Sequence, residues 1–230
     1  MASDQDHRRS FLSLPELAVV VGIISVLIAV PLGILSAVRR NRFEDHGVRF
    51  LTMVGFAMPP FWLGLLLILI FSVNLGWLPS GGEGTGAIGR FESLILPALT
   101  LGIGIAPMIL RSLRSSMIET LQMEYVEAAR ARGFSKRRVL LRGVLRNSLI
   151  ATVTVLAINV GIMLGGVVVV ENVFYLPGLG RLVYQAITQR DLIVVQAVLL
   201  LLVAAVVMVS FLVDVAYAWV DPRLRQRGEA

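Results

Sequence analysis

Side chains of chemically active type are concentrated in one charged stretch, residues 120–143, of a chain that is otherwise strongly apolar. Glutamates, arginines and the lone lysine, Lys136, alternate there with the small residues Ala128, Ala129 and Ala131. Small residues permit close approach, and charges of both signs suit a protein partner. A purely basic loop would instead suit anionic lipid headgroups, which stays open as the alternative interpretation. The chemistry that this stretch favours is recognition.

The same stretch predicts a helix, a tight turn and a second helix. Residues 124–132 have helical spacing, Gly133 supplies the left-handed residue that ends a helix, and Ser135 is a good cap for the next one. Leu141, Val144 and Leu145 are expected on one stripe of the second helix, which runs into an apolar segment. A displacement of the turn would therefore reach that segment.

Catalytic patterns are missing from the sequence. A phosphate-binding loop needs a lysine after glycine, but Lys136 lies between Ser135 and Arg137. The chain has no cysteine, and its two histidines, His7 and His46, are far apart. We therefore expect no catalytic residue, no metal site and no bound cofactor, and we expect the chain not to be an enzyme.

Composition places these residues in a membrane. The 230 residues are 57% hydrophobic with a mean hydropathy of +0.82, and apolar runs recur at the length of about 18 or more residues that a spanning helix needs. We predict an all-α, polytopic fold of about five membrane helices. The expected spans are 15–38, 50–75, 93–111, 147–170 and 192–219, within a permease domain 14–220 between a polar segment 1–13 and a tail 221–230.

Charge distribution predicts the orientation. Most of the 21 Lys and Arg residues cluster at 39–49, 111–146 and 223–227, while the alternate loops carry few. By the positive-inside rule the basic loops are cytoplasmic, so the net charge of +6 records topology and nucleic acid is not an expected partner. Five spans would place the N-terminus outside, against the preference of Arg8 and Arg9, which hints at a missing N-terminal element.

Polar and helix-breaking residues near or within the spans are candidates for a solute path. Proline frees backbone carbonyls, which lipid tolerates only beside protein or a cavity. The pathway candidates are Pro59, Pro60, Trp62, Asn159, Glu171 and Asn172. For Asn159 an interhelical hydrogen bond is the alternative. No ionisable group lies in the middle of a span, which argues against an ion-coupled carrier.

Several motifs together resemble the ABC-importer permeases of the dipeptide, oligopeptide and nickel family. They are Glu-Ala-Ala-Arg-Ala-Arg-Gly at 127–133, Arg-Gly-Val-Leu-Arg-Asn at 142–147, Val-Glu-Asn-Val-Phe at 170–174, Pro-Gly-Leu-Gly at 177–180 and Asp-Pro-Arg at 221–223. The similarity covers about residues 14–225 and is of the first-permease type. Two departures are Ala151, where that family has proline, and the apparent lack of its usual N-terminal span and outer segment, which suggests a truncated start or a shortened variant.

The resemblance implies a type I importer subunit in a bacterial or archaeal cytoplasmic membrane, contacting membrane lipid. It implies a second permease, making a heterodimer, two cytoplasmic ATPases that hold ATP and Mg, and an extracytoplasmic solute-binding protein. The implied ATPase-coupling residues are Glu124, Tyr125, Glu127, Ala128, Ala129, Arg130, Gly133 and Ser135. Short peptides are the expected cargo, with nickel or glutathione as alternatives. An ion-coupled carrier and a membrane scaffold are the rival classes.

Overall fold

The computed structural model describes the backbone of residues 2–82 and 84–220. Side chains are described from residue 16 to residue 211, apart from 83, 150–151, 157–158, 160–165 and 209–210. The predicted tail 221–230 lies outside the described residues, as do the side chains of the predicted polar segment 1–13.

Helices make up almost the whole described chain, and that part contains no strand, so the all-α prediction is confirmed. The described chain also contains two π-helical segments, Ile68–Asn74 and Val139–Leu145. The first continues the helix that ends at Leu67, and the second joins the helix that ends at Arg138 to the one that begins at Arg146. In order the helices are α1 (Ala2–Val38), α2 (Phe43–Ala57), α3 (Pro60–Leu67), α4 (Gly86–Leu121), α5 (Glu124–Ala131), α6 (Lys136–Arg138), α7 (Arg146–Val173), α8 (Leu179–Thr188) and α9 (Leu192–Val220).

The five apolar segments predicted from hydropathy are helical, except that 50–75 is interrupted at residues 58–59 and its last residue, Leu75, follows the helix end. Among the described residues, Glu16–Val38 and Gly86–Leu121 are long and apolar enough to cross a bilayer, and α2 with α3 and its π-helical extension adds a third if that broken pair is one span. Leu192–Met208, which is part of α9, is a shorter apolar helical stretch among the described residues. The span boundaries stay predictions.

The break between α2 and α3 lies within the predicted span 50–75, at the two prolines that the sequence marks as helix-breaking. Met58 adopts an extended conformation, with φ −75° and ψ 129°. A residue before proline is pushed out of the helical region by the proline ring, and Pro59 and Pro60 follow Met58 directly. Pro60 then begins α3, where its missing N–H costs no helical hydrogen bond.

The chain divides into two compact units. One comprises residues 21–59 and 102–156, and the other comprises the described residues within 1–20, 60–101 and 157–220. The first unit contains the charged stretch 120–143 and two apolar clusters. The second contains α8 and α9, which pack through Leu179, Val183 and Val198.

Candidate functional site

The charged stretch forms a compact element, which we call the docking element and define as residues 124–145. Its first helix, α5, is anchored by Val126, whose side chain is fully buried. Val126 joins a cluster with Val139 and Val144 from the same element and with Ala37, Leu113 and Met117 from the ends of α1 and α4. Apolar burial therefore fixes the element on helix ends of its own unit.

The turn after α5 is a Schellman motif, as the glycine predicts. Gly133 is left-handed, with φ +79°, and its N–H donates to the carbonyl of Arg130 at 3.0 Å. The N–H of Phe134 donates to the carbonyl of Ala129 at 3.2 Å. These two bonds satisfy carbonyls that the end of a helix leaves without partners. The predicted helix and tight turn are confirmed.

Ser135 caps the next helix, as predicted, because its hydroxyl accepts the N–H of Arg138 at 3.4 Å. The expected stripe is wrong in one respect: Val139 and Val144 are buried, whereas Leu141 is exposed. Residues 139–145 are π-helical, so side chains five apart share a face. The prediction assumed α-helical spacing and therefore placed Leu141 on the buried side.

The outer surface of the docking element is polar. Among the predicted coupling residues, Ala129 is half-buried, and the exposed ones are Glu124, Tyr125, Glu127, Ala128, Arg130, Gly133 and Ser135. Two exposed carboxylates on α5 therefore stand beside a group of exposed cations at 130–138. The coupling role of these residues stays a prediction, but the fold leaves them accessible in this chain.

A cleft of about 420 Å³ opens between α5 and the π-helical segment. The hydroxyl of Tyr125 donates to the carbonyl of Gly143 at 3.4 Å across it. Phe134 lines the cleft with Arg138, whose guanidinium lies 5.4 Å from the ring centroid, and with Arg142. Phe134, Arg138 and Arg142 are not among the predicted coupling residues, because only the folded turn brings Phe134 back over α5.

A buried ion pair, Asp45–Arg114, adjoins the apolar cluster on which the docking element packs, since Arg114 directly follows Leu113 of that cluster. Asp45, with no exposed surface, accepts bonds from Arg114 at 2.9 Å and 2.7 Å, from the Ser36 hydroxyl, and from the Asn41 N–H at 2.9 Å. Asp45 precedes the apolar segment 50–75. The Arg114 guanidinium, with help from Ser36 and Asn41, holds the pKa of Asp45 well below its usual value. The cluster ties the ends of α1 and α4 to the start of α2.

The predicted pathway residues are scattered. Pro59, Pro60 and Trp62 are exposed around the start of α3, and Asn159 is buried within α7. Asn172 is half-buried, and its side-chain amide donates to the Val168 carbonyl at 2.9 Å. Their pathway role stays a prediction, and the geometry adds no common site for them.

Glu171 has a well-defined structural environment. Its carboxylate is buried and accepts the backbone N–H of Arg181 at 3.1 Å, together with that of Gly180. These amides belong to the first turn of α8, where N–H groups lack helical partners and a negative charge is favoured. Gly178 and Gly180 leave room for the carboxylate, since a Cβ at Gly178 would overlap it. We call this arrangement the α8 cap.

Metal ligands do not come together in the part of the chain that the structure describes. No group of three or more His, Asp or Glu side chains there is placed to hold an ion. Of the buried carboxylates, Asp45 is paired with an arginine and Glu171 is bonded to backbone amides.

The chain is similar in sequence to membrane subunits of transport systems. Residues 29–226 match the family described as binding-protein-dependent transport system inner membrane component. An oligopeptide transport system permease protein of Bacillus subtilis is 40% identical over 207 residues, covering 88% of this chain and 66% of that protein. A glutathione transport system permease protein of Salmonella choleraesuis is 41% identical over 203 residues, covering 88% and 65%. The chain spans just under two thirds of the length of these relatives.

Solved structures agree on the fold. An inward-facing methionine ABC transporter gives a TM-score of 0.77 at 23% identity, covering 94% of this chain and 97% of that one. An amino acid ABC transporter gives 0.68 at 16% identity, covering 94% of each chain. The resemblance read from the motifs is confirmed, and the chain belongs to the family of inner membrane components of binding-protein-dependent transport systems.

Proposed function

We propose that this chain is a membrane-spanning subunit of an ATP-driven importer and forms half of the translocation pathway for short peptides. The observation that carries the proposal is the docking element, which combines an apolar underside with an exposed surface of mixed charge. Such an element is held firmly by its own chain and keeps its polar side chains free for a partner. Family membership supports the same function.

The proposed partners follow from that element. We infer that residues 124–135 seat in a cleft of a cytoplasmic ATPase, with Glu127 and Gly133 at the centre of the contact. Two such ATPases, which bind ATP and Mg, would drive transport, while this chain binds no cofactor and catalyses no reaction. A second permease, in a heterodimer, would complete the pathway, and an extracytoplasmic binding protein would deliver the cargo.

Short peptides are the proposed cargo. Relatives of this chain are named as permeases for oligopeptides, for glutathione, and, at 38% identity in Pseudomonas aeruginosa, for di- and tripeptides. Glutathione is itself a tripeptide, so these substrates share a small peptide backbone. A bacterial or archaeal cytoplasmic membrane is the proposed location, with the basic loops inside.

The proposal is tested by transport. The chain is expressed with its partner subunits in cells that lack peptide importers, and uptake of labelled di-, tri- and pentapeptides is compared with that of glutathione and nickel. We expect ATP-dependent uptake of at least one peptide length. Uptake of nickel alone would contradict the peptide assignment, and uptake that follows an ion gradient without ATP would contradict the importer class.

A further inference from the structure

A second cleft, between α2 and α4, has the chemistry of a phospholipid site. It encloses about 440 Å³ and is lined by Arg49, Thr52, Met53, Phe56, Pro107, Leu110, Arg111 and Arg114. This volume lies within the range of roughly 300–1,000 Å³ that small-molecule sites occupy. None of the predicted coupling or pathway residues lines it.

Cations gather at one end of the cleft. Asp45 binds Arg114 through two hydrogen bonds and thereby fixes the start of α2 against α4. Arg49 lies one turn after Asp45 on α2, and Arg111 lies one turn before Arg114 on α4. Asp45 neutralises Arg114, while no carboxylate among the described residues pairs with Arg49 or Arg111. Two positive charges without a carboxylate partner therefore line this end of the cleft.

Apolar side chains line the other end. Along α2 the cleft residues run from Arg49 to Met53 and Phe56, and both apolar side chains are exposed. Along α4 they run in the opposite chain direction, from Arg111 back to Leu110 and Pro107. The two helices thus carry the same gradient, from cationic at the end predicted to be cytoplasmic to apolar on the side of the predicted spans.

We propose that this cleft binds an anionic phospholipid of the cytoplasmic leaflet, with the headgroup phosphate between Arg49 and Arg111 and an acyl chain along Met53 and Phe56. Charge complementarity selects the headgroup. Two arginines on facing helices attract a lipid with a net negative charge more strongly than a zwitterionic lipid. The proposal rests on the predicted orientation, which is tested separately by labelling Ser135→Cys, in a chain without other cysteines, with a membrane-impermeant reagent from outside intact cells. Labelling from outside would contradict that orientation.

Native mass spectrometry of the purified full chain measures the selectivity. Dioleoyl phosphatidylglycerol is titrated against dioleoyl phosphatidylcholine, and we expect clear preference for the anionic lipid. R49Q and R111Q should each weaken phosphatidylglycerol binding by about fivefold, the contribution of one basic side chain near an anionic surface, and leave phosphatidylcholine binding unchanged. The matched control is R40Q, an exposed arginine on the same predicted side but outside the cleft.

Three results of these binding measurements would overturn the proposal. Equal binding of the two lipids would remove the charge argument, and an equal loss in R40Q would show a general basic surface in place of a cleft. Complete displacement of the lipid by excess glycerol phosphate would show that the apolar wall contributes nothing. Thermal unfolding of R49Q and R111Q is expected to match that of the wild type, since neither arginine has an ion-pair partner among the described residues.

Photocrosslinking in intact membranes distinguishes lipid from a protein occupant. A p-benzoylphenylalanine replaces Met53, which is 69% exposed at the apolar end of the cleft. The expected product carries the added mass of a phospholipid. A crosslink to a second protein subunit in place of lipid would show that the cleft is covered in the assembly and would overturn the proposal.

Discussion

Two short helices, α5 and α8, both pack through buried apolar side chains but differ in where the neighbouring acidic side chains lie. α5 is fixed by the buried Val126 beneath it and leaves its two carboxylates exposed. α8 is fixed at its N-terminus by a buried carboxylate, that of Glu171, which its own backbone amides surround. An acidic residue can therefore face outward for a partner or be satisfied internally by the fold. The contrast separates Glu127, a candidate for docking, from Glu171, a residue that positions a helix.

The glycines next to α5 and within α8 are required for different reasons. Gly133 adopts φ +79° with nothing within 4 Å of where a Cβ would lie, so its backbone conformation alone requires glycine. Gly180 has no room, because a Cβ there would overlap the Cα of Val168 and approach the Glu171 carboxylate at 2.9 Å. The turn of α5 needs a conformation, whereas the start of α8 needs space.

The largest expected loss of stability comes from breaking the Asp45–Arg114 ion pair, which adjoins the apolar cluster beneath α5. Asp45→Asn leaves the mostly buried Arg114 without its counter-charge, and we expect a loss of about 3–5 kcal/mol in unfolding free energy. Thermal or denaturant unfolding in detergent measures it. Glu44→Gln is the neighbouring control, because Glu44 makes an exposed pair with Arg39 and should change stability little.

The pH dependence of this pair has a definite sign. The pKa of Asp45 is lowered in the folded state, so its contribution is complete above the ordinary value of 3.8 and is lost as the pH falls below it. The difference between wild type and Asp45→Asn should thus stay constant between about pH 5 and pH 8. A difference that shrinks across that range would contradict the geometry of the pair.

Crowding at α8 should give the next effect. Gly180→Ala forces a methyl group against the Val168 backbone, and we expect a loss of about 1–3 kcal/mol, read as a lower Tm. Gly22→Ala serves as the control, because a Cβ at Gly22 meets nothing within 4 Å. Equal Tm values for the two variants would show that the α8 cap has more room than the structure gives it.

Removing the charge of the α8 cap should have a smaller effect. Burial raises the pKa of Glu171 to about 7, so its negative charge is complete only above that pH. Measured at about pH 8, Glu171→Gln keeps an oxygen acceptor for the α8 amides but loses that charge, for an expected cost of no more than about 1–2 kcal/mol. The same change at the exposed Glu127 should leave the Tm unaltered. If Glu127→Gln were as destabilising as Glu171→Gln, the contrast between the two helices would fail.

The smallest effect is expected at the bond that joins α5 to the π-helical segment. Tyr125→Phe removes a long hydrogen bond, 3.4 Å to the Gly143 carbonyl, at a side chain that is 45% exposed. We expect a change in unfolding free energy of no more than about 1 kcal/mol. A loss in Tm as large as that of Gly180→Ala would mean that this bond, and not the apolar seat, holds the element.

Local rules predicted much of the fold. Hydropathy predicted the apolar helical segments, and Gly133 with Ser135 predicted the turn of the docking element. The two prolines marked the region where α2 ends, just before Met58. Each of these features depends on a few adjacent residues. Backbone sterics and capping chemistry are local, so the sequence suffices to predict them.

Features made by distant residues escaped prediction. Asp45 and Arg114 are 69 positions apart and meet only through the packing of helices. The α8 cap joins residues 10 apart across a turn, and no single motif residue reveals that Glu171 points back at Gly180 and Arg181. The π-helical register of 139–145 changed which side chains are buried, since an insertion in helical spacing has no compositional marker.

Uptake by Glu127→Lys, assayed together with co-purification of the ATPases, shows whether the docking element couples this chain to an ATPase. Gly133→Val accompanies it, since a β-branched residue at φ +79° costs about 1–3 kcal/mol of strain, and Gly133→Asn is the tolerant control. Neither position lies in a predicted span, so we expect normal membrane levels of Glu127→Lys and Gly133→Val. Both variants should lose the bound ATPase and, with it, peptide uptake. Wild-type uptake in both variants would contradict the claim that the docking element couples this chain to its ATPase.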